Sequence, residues 1–103
     1  MRSIRYSKTF TDEFETLLDQ GEVKFGPAVI NSKKQLVRAT ITGHLATFPL
    51  TGHIEPAHGL YTYAVRRSPF VLLYDFDDAE LRIHMVVHKG ADRTTLDPAT
   101  VEW

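Results

Sequence analysis

The residues best suited to chemistry lie where the last β-rich run of the chain ends: His88, Asp92 and Arg93, with Lys89 between them. An imidazole titrates near neutrality and a guanidinium matches the fork of a phosphate, so this group could move a proton and steady a phosphate during RNA cleavage. It is a small grouping, and three polar residues at a strand end are ordinarily a solvated exit. His53, Glu55 and His58 in HIEPAH are of the types that hold zinc, but Pro56 breaks any helix that would align them, and the stretch reads as a polar loop. His84 and His88 face the same way on a strand, too far apart to share an ion without a third ligand between them. Asp75, Asp77, Asp78 and Glu80 lack the glycine-bearing spacing of a calcium loop and read as a solvated turn. No glycine-rich phosphate loop, nucleotide fingerprint or Ser-His-Asp spacing is present. Neither a metal nor a cofactor is expected.

Composition narrows the partners. Twelve Lys and Arg stand against thirteen Asp and Glu in 103 residues, a formal net charge of -1. That balance argues against affinity built on a general surplus of cations over phosphates. Local clusters at Lys33-Lys34, Arg66-Arg67 and Lys89 to Arg93 still leave room for a basic patch. The absence of cysteine removes disulfides, thiolate zinc sites and cysteine nucleophiles together. The length suits one domain, residues 1–103, able to bury roughly 60–70% of its unfolded surface. With no signal-peptide pattern and no apolar run approaching about 18 residues, a cytoplasmic location and no membrane partner are expected.

The scaffold that must position any site is the stretch from Gly59 to Arg93. Its runs Leu60 to Arg66, Phe70 to Phe76 and Leu81 to His88 are joined by turns too short for a parallel crossover, which predicts an antiparallel meander. Phe70 to Tyr74 is apolar on both faces, so it should be central and covered on both sides. Alternation in the third run puts Leu81, Ile83, Met85 and Val87 on one face, and Arg82, His84, Val86 and His88 on the other. Tyr61, Tyr63, Phe70, Tyr74 and Phe76 read as core packing rather than a base-stacking platform.

Upstream, Ser3 to Ser7 predicts a first strand. Thr11, Asp12 and Glu13 predict a helix start, Phe10, Phe14, Leu17 and Leu18 form its apolar stripe, and Gly21 is its expected stop. A second helix is expected from Pro27 to Pro49, with Ile30, Val37, Ile41, Leu45 and Phe48 on one face and Lys33, Lys34 and Arg38 outward. Leu50 to Gly59 reads as a connecting loop. Beyond His88 a loosely structured tail is expected, although Leu96, Val101 and Trp103 are too apolar to face solvent alone. The fold class is α+β: an N-terminal strand and a two-helix hairpin packed on an antiparallel sheet with a three-strand C-terminal meander.

This order, with GLYTYAVRRSPFVLLYDFDDAELRIHMVVH followed by KGADR, resembles the RelE/ParE superfamily of toxins from bacterial toxin-antitoxin modules over nearly the whole chain. The resemblance implies a toxin of the plasmid-stabilisation type that arrests growth and is neutralised by a cognate antitoxin. RelE-type members cleave mRNA on the ribosome with basic residues on the second strand, an arginine in the third, and an arginine and a tyrosine after the last. Thr62, Ala64 and Val71 occupy those strand positions here, and no tyrosine follows Tyr74. ParE-type members poison DNA gyrase by binding alone, and the missing cations make this chain resemble that branch more closely. By this resemblance Arg66, Arg67, Lys89 and Arg93 are the target contacts and there is no catalytic set. The alternative is a RelE-like ribosome-dependent endoribonuclease using Arg93, Lys89 and His88, and a third reading keeps only antitoxin binding. An amphipathic antitoxin segment is expected on Leu17, Leu18, Val37 and Leu96.

Overall fold

A computed structural model describes residues 1–103. Seven main elements follow in order: β1 (Ser3–Tyr6), α1 (Lys8–Phe25), α2 (Pro27–Thr40), β2 (His53–Ile54), β3 (Tyr61–Ala64), β4 (Phe70–Phe76) and β5 (Glu80–His88). They form the expected α+β arrangement, with both helices on one face of a five-stranded sheet ordered β1-β5-β4-β3-β2. The meander β3-β4-β5 is antiparallel, and β4 is the central strand. β1 adds to β5 in parallel, so the sheet as a whole is mixed. No helix is long and apolar enough to cross a membrane.

The helices begin and end where tertiary partners allow. α1 starts earlier than Thr11, because Ser7 is its cap: the Ser7 hydroxyl oxygen accepts from the Phe10 amide at 2.8 Å. Gly21 does not stop it. A β-carbon there would lie 2.5 Å from Ile30 Cδ1, so the glycine lets α2 approach, and α1 runs on to Phe25. Gly26, at φ 88°, makes the turn, and Pro27 opens α2 as expected. α2 loosens into a π-helical turn at Ile41–Leu45, then a 3-10 turn at Pro49–Thr51 redirects the chain. Ile30, Val37, Ile41 and Leu45 are buried together as their spacing implied, whereas Phe48 lies beyond the end of the helical turns, at the cap of the 3-10 turn, and is 58% exposed. The segment after Leu50 is more than a loop, since β2 extends the sheet beside β3.

The third-run alternation fails at one point. Leu73 pairs with Met85 and Tyr74 with Ile83, which leaves His84 as an extra residue in β5. This β-bulge reverses the side-chain parity beyond it. Leu81, Ile83 and Val86 therefore face the helices with Phe70, Leu72 and Tyr74, while Met85 and Val87 join Leu60, Val71 and Leu73 on the opposite face. That second face is covered by the tail, whose Leu96 and Val101 pack on it. The tail is thus fastened rather than loose: the Glu102 carbonyl accepts from the Lys8 and Thr9 amides at 2.7 and 3.2 Å, and the Trp103 ring meets His84 edge-on at 4.7 Å.

Two buried polar contacts hold these layers in register. The Ser7 hydroxyl donates to the His84 carbonyl at 2.6 Å while capping α1, joining helix and bulge through one side chain. The Tyr74 hydroxyl donates to the Pro49 carbonyl at 2.6 Å, beside Gly52, where a β-carbon would fall 2.2 Å from the Tyr74 hydroxyl oxygen. Ser7→Ala removes the cap, worth about 1 kcal/mol, and orphans a buried carbonyl, worth about 1–3 kcal/mol. Urea unfolding should show a loss of about 2–4 kcal/mol with little change in slope. Burial also pushes the Tyr74 hydroxyl up from 10.0 to about 12. The stability tied to its neutral form is complete below pH 10.0 and is lost as pH rises through about 12. Alkaline unfolding followed by tyrosinate absorbance should fall in that window, and Tyr74→Phe should remove the step.

Candidate functional site

The turn from β3 to β4 reads Val65-Arg66-Arg67-Ser68-Pro69-Phe70, and its geometry follows from its residue types. The Val65 amide donates to the Phe70 carbonyl at 3.0 Å; the Ser68 hydroxyl donates to the Val65 carbonyl at 3.0 Å and accepts from the Phe70 amide at 3.2 Å. Arg67 is the one non-glycine residue with positive φ, at 61°. A bulky side chain held there costs roughly 1–2 kcal/mol against glycine. Neighbouring elements secure the turn: Lys33 of α2 donates its ammonium to the Arg67 carbonyl, and the Lys89 amide donates to the Pro69 carbonyl at 2.8 Å.

These contacts bring Lys33, Arg67 and Lys89 from three elements into one groove of about 630 Å³, which Lys24 also lines. Leu17, Ile30 and Phe70 supply apolar wall, and Phe25 and Val29 stand on the rim, 61% and 43% exposed. The Lys24 ammonium lies 5.8 Å from the Phe25 ring centre. At the other end of β4 the charge reverses. Arg82 donates to Asp75 at 2.8 Å, Asp77 at 2.9 Å and Glu80 at 3.2 Å, and the Arg82 hydrogen bond holds Asp77 down to about 2. The acidic turn is therefore organised around an arginine of its own sheet.

Of the expected target contacts, Arg66, Arg67 and Lys89 are exposed together at the basic end. Arg93 lies on the tail side, where its guanidinium donates to the Lys89 carbonyl at 3.3 Å and its own carbonyl meets His58 Nε2 at 2.9 Å. His88 is exposed, and its Nδ1 accepts from the Gly90 amide at 3.2 Å. The Asp92 carboxylate is held by the Thr94 amide and hydroxyl, which lower its pKa. Thr62 lies on β3 and Ala64 at its end, while Val71 is buried on the tail-covered face.

Of the expected antitoxin contacts, Leu17 lines the basic groove and Leu18 a second one between α1 and α2, beside Tyr6, Phe10 and Phe14. Leu96 is half-buried where the tail itself packs on the sheet. Val37 is a core residue, 1% exposed, because its place on α2 faces the sheet, so it offers almost no surface. The HIEPAH residues do not converge on an ion: His58 uses both ring nitrogens, on Arg93 and on the Leu60 amide, and Glu55 accepts from the Ala57 amide.

Lys24, Phe25 and Val29 escaped the sequence reading, and Lys33 was named only as part of a basic cluster with Lys34. Lys33 looked like a generic outward helix cation, and Phe25 lay beyond the supposed helix end at Gly21. A phenylalanine directly before Gly-Pro was the available signal.

Arg67→Gly should leave the urea midpoint unchanged or raise stability by up to about 1 kcal/mol, because glycine occupies positive φ freely. Arg67→Val, branched at the β-carbon, should lower it by about 1–2 kcal/mol. A loss with glycine would show that the arginine side chain itself supports the turn.

No protein-family model matches the chain, and no curated protein matches it. Among solved structures, a chain of the chromosomal ParDE toxin-antitoxin system from P. aeruginosa matches with a TM-score of 0.71. The match covers 85% of this chain and 96% of that one, at 19% sequence identity. At that identity the likeness is one of architecture: the chain has the fold of this ParDE protein.

Proposed function

We propose that this chain is the toxin of a toxin-antitoxin module and acts by binding DNA gyrase. The observation that carries the reading is the fold, shared along 96% of a ParDE chain. The chemistry of the basic end supports binding over catalysis. RNA cleavage through a 2′-hydroxyl needs a proton acceptor and cations converging on one phosphate. Around Lys89, the Arg93 guanidinium is turned to a backbone carbonyl and the Asp92 carboxylate to Thr94. Arg66, Arg67 and Lys89 present charge from a braced turn, which suits a surface that docks without reacting, and Arg93 extends it along the tail. A cognate antitoxin is the second partner, lying across the hairpin at Leu17 and Leu18 and reaching the tail at Leu96.

A supercoiling assay with purified gyrase tests the target. The chain should inhibit supercoiling or trap cleaved DNA, and Arg66→Glu/Arg67→Glu should weaken this by more than about tenfold. Inactivity on gyrase beside cleavage of translated mRNA, lost in Arg93→Ala, would replace this reading with the RelE-like one.

A further inference from the structure

The basic groove differs from the other grooves between the helices. The α1-α2 grooves include carboxylates such as Glu15, Asp19 and Glu22, whereas no Asp or Glu lines the groove bounded by Lys24, Lys33, Arg67 and Lys89. None of those four cations is in an ion pair. The Lys33 ammonium and the Lys89 amide bind backbone carbonyls, which fixes positions and leaves the positive charge uncompensated. Phe25 and Val29 add an exposed apolar rim to the same groove.

From this juxtaposition we infer that the groove receives an acidic peptide segment carrying a bulky apolar side chain, which enters between Phe25 and Val29 while flanking carboxylates meet Lys33, Arg67 and Lys89. The inference rests on the binding reading above only in taking the basic end as a target surface, and it adds Lys24, Phe25, Val29 and Lys33 to that surface. Charge and size select a peptide over a nucleic acid. A groove of about 630 Å³ holds a few side chains rather than a duplex. A net charge of -1 gives a long polyanion no general attraction over the chain as a whole. A short acidic segment meets only the cations, and its apolar anchor supplies the contact that salt does not screen.

The test is selection of a random-peptide phage library on the full chain, repeated on Lys33→Glu/Arg67→Glu and on Phe25→Asp. Both variants change exposed or rim positions, and circular dichroism with urea unfolding confirms that they fold. Selected peptides should be enriched in Asp and Glu around one bulky apolar residue. A synthetic copy of the most enriched peptide should bind more than about tenfold more weakly to the double charge reversal, and severalfold more weakly to Phe25→Asp. Absence of acidic enrichment, equal binding to the variants, or displacement of the peptide by a 20-base-pair duplex would overturn the proposal. Gyrase inhibition is read separately on the same variants. Peptide binding without gyrase inhibition refutes the gyrase target alone and supports the groove. Inhibition that survives when peptide binding is lost refutes the groove as the target contact.

Discussion

Ser7 holds the structure together at the point where its two layers meet. Its hydroxyl caps α1 and donates to the carbonyl of the bulged His84, so the direction of the helix and the break in β5 are set by one buried group. Without the bulge, Met85 and Val87 would follow Ile83 toward the helices. The tail-side face would then lose the side chains on which Leu96 and Val101 pack. With it, one nine-residue strand serves two apolar layers. The Ser7 amide adds a bond to the Ile83 carbonyl at 3.0 Å, which brings the end of β1 alongside β5.

That construction also arranges charge. β4 is buried on both faces and runs from a basic turn to an acidic one, so a chain with almost no net charge is strongly polarised along its central strand. At the acidic end Arg82 bridges three carboxylates and offsets part of their charge. The basic end has no such counter-charge. Exposed aromatic and aliphatic side chains cost solvation and neighbouring uncompensated cations repel one another, and a partner of opposite charge relieves both. Arg67 at positive φ fits the same picture, because backbone strain tends to persist where a side chain must be held in one direction.

Much of this was legible in local pattern. The three runs of the meander, the centrality of β4 and the covering of both its faces followed from short turns and an apolar run without alternation. The capping of α1 by Ser7 was not, because Thr11 followed by two acids is the stronger local signal and Ser7 wins only through its bond to β5. Gly21 misled for the same reason: its small size serves contact with Ile30, not termination. Arg66, Arg67 and Lys89 were recognisable as basic residues at strand ends, but their partnership with Lys24 and Lys33 depends on where the hairpin tip comes to rest.

The sequence by itself determined the fold class, the meander and the polarity of charge along β4, since each depends on residues close together in the chain. The tertiary structure alone decided the bulge at His84, the burial of Val37, the fastening of the tail and the convergence of four cations on one apolar groove. Those features arise from contacts between distant segments, where a single buried hydroxyl or a missing β-carbon outweighs local propensity.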